Sequence, residues 1–295
     1  MQLTIIPSTF MQDVKSYSDL MKFRLSFFVV FSGLVGYSLA FPVFHFTQTI
    51  VWFVIGTFLV TGSANTINQL LESEFDSKMK RTMMRPLPSG RLNEVQAGIF
   101  AVITFLLGSF ILMFKVNLYC CLLSATSLFL YAFVYTPLKR VGPVAVFVGA
   151  IPGALPPLIG WVAATNSISI HAVTLFVIQF VWQFPHFWAI AWVLDEDYTK
   201  AGFRLLPSST GKNMNTAIQI MIYTLFLIPL GLMPAWFGLT GMNSAIIATI
   251  AGVFFLAKTL KLMQDCSNDK AAKQIMFASF IYLSVVQVVF MLDKI

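Results

Sequence analysis

Charge is what this sequence has least of. Of its 295 residues only 11% are Asp, Glu, Lys or Arg, less than half the roughly 25% of an ordinary soluble domain. With 58% hydrophobic residues and a mean hydropathy of +0.81, a water-soluble globule could not cover its own apolar surface. Disordered, collagen-like and coiled-coil chains fail on the same numbers. Cysteine is scarce too. The 3 thiols exclude a disulfide scaffold, because Cys120 and Cys121 are adjacent inside an apolar run and Cys266 stands alone. What is abundant is Phe, with 30 copies, and Met, with 14. The class that remains is an integral membrane protein made of helices.

A bilayer core needs about 20 consecutive, mostly apolar residues per helix. Nine segments meet that requirement: 25–44, 49–71, 95–114, 117–135, 143–164, 170–194, 215–236, 243–260 and 274–292. Residues 1–20, with Asp13, Lys15 and Asp19, read as a short cytoplasmic lead-in. They lack the cationic start, apolar middle and small-residue cleavage site of a signal peptide. The whole chain, 1–295, reads as one membrane domain.

The 19 basic residues are not spread evenly. Lys15, Lys22 and Arg24 precede the first span, and Lys78, Lys80, Arg81, Arg85 and Arg91 follow the second. Lys139 and Arg140 follow the fourth span, and Lys200, Arg204 and Lys212 follow the sixth. Lys258, Lys261, Lys270 and Lys273 surround the loop after the eighth, leaving only Lys115 and Lys294 for the other side. Cytoplasmic loops collect Lys and Arg, so the N-terminus is expected inside and the C-terminus outside. The net charge of +7 is thereby topological, and a nucleic-acid partner is not implied. The acids cluster on the same side, with Asp293 the exception among 12. The topological rule says little about Asp and Glu, so the carboxylates call for another reason.

The first acidic cluster runs off the end of the second span. Asn68, Glu72 and Asp76 are spaced by four, and each such step advances only about 40° around a helix, so all three project from one face. Such a row near membrane depth is costly unless it faces a cavity and is compensated. A hard divalent cation would compensate it, and Mg²⁺ prefers one or two carboxylates plus phosphate oxygens and water. The plainer reading is a polar helix end with solvated acids. Downstream, Arg81 and Arg85 stand beside the row, and guanidinium groups recognise phosphate oxygens bidentately. Pro86, Pro88 and Gly90 stop the helix and fold the segment back.

A second cluster, Asp195-Glu196-Asp197 with Lys200 and Arg204, lies at the end of the sixth span on the same face. The placement suggests two pseudo-equivalent halves, about 21–140 and 141–262, with a ninth helix at 274–292. Lys139 and Arg140 end the fourth span there as well, either as a topological stop or as an anion contact. Carboxylates and bases around an apolar cavity fit a lipid-linked diphosphate held through Mg²⁺. Metal and cations would neutralise the leaving diphosphate, and a dry pocket would protect an allylic carbocation.

These residues resemble the UbiA superfamily of intramembrane prenyltransferases, whose first motif is NxxxDxxxD; the middle acid here is Glu72. Further strings are similar to the branch that farnesylates protohaem IX. They include Met79-x-Arg81-Thr82-x-x-Arg85-Pro86-Leu87, Tyr135-Thr136 with Leu138-Lys139-Arg140, Gly153-Ala154-x-Pro156-Pro157, and Trp182-Gln183-Phe184-Pro185-His186-Phe187. The resemblance covers about residues 20–292. It implies an all-α membrane protein of nine transmembrane helices, a bundle around a cavity open to the cytoplasmic side. It also implies transfer of farnesyl from farnesyl diphosphate to a vinyl group of haem b, giving haem O. Asn68, Glu72, Asp76 and Asp197 would then hold Mg²⁺–diphosphate, and Arg81, Arg85, Lys139, Arg140 and Lys200 would contact phosphate.

The chain departs from the family in three places: Ala201 stands where a second acid is usual, Lys22-Phe23-Arg24 replaces Lys-Pro-Arg, and Gly142 and Ala145 replace a Thr and an Asn. Among 3 His, His45 and His171 fall in outer loops and read as surface residues, whereas His186 lies within a span beside Pro185, which invites a kink. His186 is either a packing residue or, given the resemblance, a haem-binding candidate. Haem A synthase or a terminal oxidase assembly would be the downstream partner, and the absence of a transit-peptide pattern points to a bacterial plasma membrane. Two alternatives stand beside this reading. One is a UbiA-type enzyme acting on an aromatic or quinone precursor. The other is a transporter whose helix breaks at Pro152, Pro156 and Pro157.

Overall fold

A computed structural model describes residues 10–43, 46–208 and 210–295, and the described residues are helical apart from turns and one isolated bridge, Thr240 to Lys294. Among the described residues up to nine spans are long and apolar enough to cross a membrane. α1 (Phe10–Met21) leads into α2 (Phe23–Leu39), followed by α3 (Gln48–Asp76), α4 (Glu94–Ile111) and α5 (Leu118–Phe129). A short α6 (Thr136–Leu138) extends α5, and then come α7 (Val144–Thr165), α8 (Ile170–Val193) and a short α9 (Asp195–Lys200). The chain closes with α10 (Met214–Trp236), α11 (Met242–Gln264) and α12 (Asp269–Leu292). Eight helices are each long and apolar enough to span a membrane, and α1 and α2 taken together, bent by 48° at their junction, make the ninth.

The caps follow from the sequence. Asn93 accepts from the Gln96 amide while the Gln96 side chain reaches back, a full capping box. Asn117, Ser169, Asn213 and Asn268 likewise accept from the third residue of their helices. Residues 10–21, expected only as a polar lead-in, form a helix of their own. Its Leu20 packs with Leu87, Leu92 and Ala97, and Gln69 Nε2 donates to the carbonyls of Asp19 and Leu20. The bend falls at Lys22, which takes the left-handed backbone (φ 48°). His45 lies outside the described residues. His171 is half-buried against Trp161, with ring centroids 5.4 Å apart, which corrects its reading as a surface residue.

α7 and α8 form the middle of the bundle, and α4, α5, α10 and α11 turn most of their surface outward. α2 crosses α7 through glycine. A Cβ on Gly36 would fall 1.9 Å from the Pro157 carbonyl oxygen, and one on Gly160 would fall 1.7 Å from that of Gly33. Small residues let backbones approach this closely where lipid offers helices no hydrophobic reason to associate.

Pro152, Pro156 and Pro157 do not break α7, which runs unbroken from Val144 to Thr165. Each proline removes the donor for the carbonyl four residues earlier. Neighbouring side chains replace two of them: Ser127 Oγ donates to the Pro152 carbonyl at 3.3 Å, and Gln179 Nε2 to that of Gly153 at 2.8 Å. α8 likewise continues through Pro185.

Gly36→Ala should lower the melting temperature of the solubilised protein, losing about 1–3 kcal/mol to overpacking. Gly98, a helical glycine with nothing within 4 Å of an added Cβ, is the control. There alanine should gain about 0.5–1 kcal/mol from helix propensity. A neutral Gly36→Ala would mean that the crossing is not close.

Candidate functional site

The row spaced by four lies on the last turns of α3, which continues five residues past the expected end at 71. Asn68, Glu72 and Asp76 are 1%, 4% and 0% exposed. Burial of this kind costs several kcal/mol per ion unless a partner is held nearby, and each member has its own cation from a different part of the chain. Lys22 Nζ donates to Asn68 Oδ1 at 2.9 Å. Lys139 Nζ lies 2.7 Å from Glu72 Oε1, and Arg85 Nη1 lies 2.6 Å from Asp76 Oδ2. The Asn68 amide is fixed at its other end, where Nδ2 donates to Thr136 Oγ1 at 3.0 Å.

The supporting segments fold to deliver these partners. The chain after Asp76 turns back through Thr82, whose hydroxyl donates to the Asp76 carbonyl at 2.9 Å, and places Arg85 on the row. At Leu130–Tyr135 the helix of α5 widens into a π-helical turn, a feature that recurs at functional sites. It carries Tyr131 and Tyr135 to the cavity side, and Lys139 lies 4.7 Å over the Tyr135 ring. Burial pulls the Lys139 ammonium toward the neutral form, but Glu72 and the nearby phenols more than offset this and hold its pKa above the ordinary lysine value.

The other expected phosphate contacts are less closely tied. Arg140 is exposed, stacks 4.0 Å over Phe75 and donates to the Leu71 carbonyl at 3.4 Å. Arg81 is exposed on the loop, outside the group of ion pairs on the row. The second acidic cluster is not a continuation of the sixth span. The helix breaks at Leu194, and Asp195–Lys200 form the separate α9. Asp197 is partly buried, and Lys200 stands 4.0 Å from it with half its side chain in solvent. Burial raises the Asp195 pKa above the usual carboxylate value, with Lys212 opposing and Asp269 and Glu196 adding to the rise. The two loops meet through apolar contacts: Met79, Ala201 and Phe203 cluster with Phe75 and Tyr198.

Below the row opens a cavity of about 210 Å³. Asn65, Thr61 and Thr57 of α3 line one wall, Tyr135, Tyr131 and Ser124 of α5 another, and Gly149 to Ile159 of α7 a third. Gly149 is needed there, since a Cβ would come within 2.6 Å of the Tyr135 ring. Leu25 and Val29 of α2 and Gln183 and Phe187 of α8 complete the lining, and His186 is not part of it. His186 faces α12, where its ring stacks on Trp182 with centroids 4.5 Å apart and Nδ1 lies 2.7 Å from Ser279 Oγ. That hydroxyl donates its own proton to the Met276 carbonyl at 2.6 Å, so Nδ1 is the donor and Nε2 keeps the lone pair.

Among the described residues no three His, Cys, Asp or Glu side chains lie close enough to hold a metal by themselves. The donors still suit a metal that takes part of its ligands from phosphate. Asp76 Oδ1 is buried and has no hydrogen-bond partner among the described residues, an acceptor available to a cation. Sequence reasoning placed neither Lys22 nor Thr136 in the site. Lys22 stood in a family motif, but 46 residues separate it from Asn68, and only the packing of the α1–α2 bend against α3 brings the two together.

A buried row with its cations at the mouth of a membrane cavity defines an intramembrane prenyltransferase, and the chain belongs to the UbiA prenyltransferase family, whose profile matches residues 29–281. Within that family it is similar to the protoheme IX farnesyltransferase of Cytophaga hutchinsonii, at 50% identity over 281 residues that cover 95% of this chain and 98% of that one. Solved structures share the fold. A digeranylgeranylglyceryl phosphate synthase structure superposes with a TM-score of 0.79 at 19% identity, covering 95% of this chain and 98% of that one. A UbiA homolog from Archaeoglobus fulgidus bound to DMAPP and Mg²⁺ gives 0.64 at 16% identity, covering 93% and 99%.

Lys139→Met should strip Glu72 of its cation and destabilise the protein by about 3–5 kcal/mol. Adding Glu72→Gln removes the stranded charge and should recover most of the loss. Thermal unfolding of the two variants in the same detergent measures it, and equal melting temperatures would dismiss the pairing as the source of stability.

Proposed function

We propose that this chain transfers a farnesyl group from farnesyl diphosphate to a vinyl group of protohaem IX (haem b), giving haem O and diphosphate. The observation that carries the reading is the buried Asn68–Glu72–Asp76 row, each member paired with a separate cation, at the mouth of a cavity shaped for a hydrocarbon tail. The relatives named for this activity cover nearly the whole chain and disfavour an aromatic or quinone acceptor. The unbroken α7 removes the broken helix that a transporter reading rested on.

In the reaction the allylic C–O bond breaks and its electron pair leaves with the diphosphate. The vinyl π electrons form the new C–C bond, and water adds to the resulting cation with loss of a proton. Asn68, Glu72, Asp76 and Asp197 would hold Mg²⁺, which when bound supplies positive charge to the departing diphosphate. Arg85 and Lys139 bind phosphate oxygens from within the row, with Arg81, Arg140 and Lys200 at the rim. The half-buried phenols of Tyr131 and Tyr135 and the apolar wall of α7 exclude water while the cation exists.

His186, which faces α12 and lies outside the cavity lining, is kept as the candidate contact to haem iron on the chemistry of its ring alone. Its Nδ1–H is held by Ser279, the arrangement that orients a metal-ligating imidazole, and Nε2 is the nitrogen left to bind. The pseudo-halves 21–140 and 141–262 with an added ninth helix, the cytoplasmic N-terminus, a bacterial plasma membrane and handover of haem O to haem A synthase or a terminal oxidase assembly belong to the same proposal.

Purified protein given haem b, farnesyl diphosphate and Mg²⁺ should yield a more hydrophobic haem by chromatography, and an unaltered haem pool would sink the assignment. Asp76→Asn should reduce turnover at least a hundredfold in protein that still inserts and folds. His186→Ala should weaken the haem absorption shift on binding; an unchanged spectrum and unchanged turnover would remove the iron contact.

A further inference from the structure

The reaction makes two opposed demands on the cavity. Bulk water must stay out while the farnesyl cation exists, yet one water must be present to complete the product. A neutral acceptor within the apolar wall meets both demands, because it holds a single water without adding charge.

Gln183 of α8 lines the cavity and is 2% exposed. A side-chain amide carries two N–H donors at one end and a carbonyl with two lone pairs at the other. Its Nε2 is fully used, donating to the Ala150 carbonyl at 2.9 Å and to that of Gln179 at 3.4 Å. Those bonds fix which end is nitrogen and which is oxygen. Oε1 accepts from no donor among the described residues, and the packing around it does not seal it off. Glycine makes its place: a Cβ on Gly153, which lines the same cavity, would fall 2.1 Å from Oε1. A clamp between α7 and α8 needs only the nitrogen end. The oxygen is left over, and a buried carbonyl without a donor is costly.

A chain of contacts sets its depth below the row. Lys139, paired with Glu72, lies over the Tyr135 ring, and a Cβ on Gly149 would meet that ring. Gly153 is one turn further along α7, about 6 Å at 1.5 Å per residue. Oε1 thus stands about a turn below the place where a diphosphate on Arg85 and Lys139 leaves its allylic carbon. One water, with a hydrogen bond of about 2.8 Å to either side, spans that turn.

We propose that Gln183 Oε1 positions the water that adds to the haem side chain. Oε1 accepts one proton of this water and an oxygen of the departed diphosphate accepts the other, which gives the water two polar partners. The water's free lone pair forms the C–O bond at the cationic carbon. The O–H bond to the diphosphate breaks, and that proton stays on the diphosphate. The assignment rests on the prenyl-transfer reading and names the residue that governs its last step.

The test gives the full chain in detergent haem b, farnesyl diphosphate and Mg²⁺ in water labelled with heavy oxygen, and resolves the haem products by mass. Where no water is held, the cation sheds a neighbouring proton, and the farnesylated haem is lighter by one water. The unaltered protein should give the hydrated, labelled product. Gln183→Met keeps the length of the side chain without its oxygen and should cut the hydrated fraction at least fivefold while farnesylated haem still forms. A merely structural role would lower total product and leave that fraction alone. Gly153→Ala, which pushes Oε1 aside, should shift the fraction the same way, whereas Gln183→Glu, which keeps an oxygen there, should retain it. If the unaltered protein makes no farnesylated haem, the functional reading fails. If it does, and folded Gln183→Met keeps the hydrated fraction or makes no farnesylated haem at all, the water role alone is overturned. Should Gln183→Met not fold, Gly153→Ala decides by the same fraction: a fall supports the role, and no change overturns it.

Discussion

Two carboxylates and an amide at the end of one long helix cannot be buried unpaired, and much of the architecture around them follows from that. Left alone in an apolar medium, each charge would cost several kcal/mol. The two carboxylates are neutralised by Arg85 in the returning loop and Lys139 beyond α6, and Lys22 at the α1–α2 bend donates to the neutral Asn68 amide. Those segments lie far apart in sequence, so satisfying the row fixes their positions together. Lys22 illustrates the cost accepted in doing so. A non-glycine residue with φ near 48° is uncommon, and here that backbone lets the chain turn sharply enough to bring the ammonium to Asn68.

Such pairs are weak grounds for stability, since an apolar replacement of a buried ion pair is often neutral or better. Their persistence here has a different logic. On the proposed reading, a diphosphate would offer these same cations a stronger partner. A site compensated internally can stay folded when empty and exchange partners when filled. The second cluster lacks this internal balance: Asp197 has only Lys200 at 4.0 Å, half in solvent. It is joined to the first through Phe75, Met79, Tyr198 and Phe203, contacts that hold the two loops together without fixing the carboxylate.

The spans were legible because apolar length is a local property, and the row was legible because a spacing of four is a statement about one helix. Asp76 could be placed beside Glu72 from the sequence alone, and the structure keeps them on one continuous α3. What could not be read was anything that depends on a return of the chain. Lys22 and Thr136 reach Asn68 only through packing between helices. The amphipathic helix at 10–21 was missed for a related reason, since its apolar side is covered by the loop at 87–92 together with Leu70 of α3 and Ala97 and Phe100 of α4, none of them near it in sequence. His186 was legible as unusual, but the side it faces was not; only α12, with Ser279 and Phe280 against the ring, decides it.

The prolines of α7 show how a local rule is correct and still gives the wrong structure. Three prolines in six residues argue for a broken helix, because each deletes a donor and leaves a carbonyl exposed. In lipid that carbonyl must find another donor, and a break would expose still more of them. Continuing the helix is cheaper wherever neighbours can supply hydroxyls and amides, as Ser127 and Gln179 do. Gln179 is held in turn by Ser32 and Gln287, at 2.8 and 3.0 Å, which ties α2, α8 and α12 to the same stretch. The consequence reaches the cavity: an unbroken α7 lines it continuously from Gly149 to Ile159. Two of the three freed carbonyls, those of Pro152 and Gly153, are turned to side-chain donors and so are not left bare along that wall.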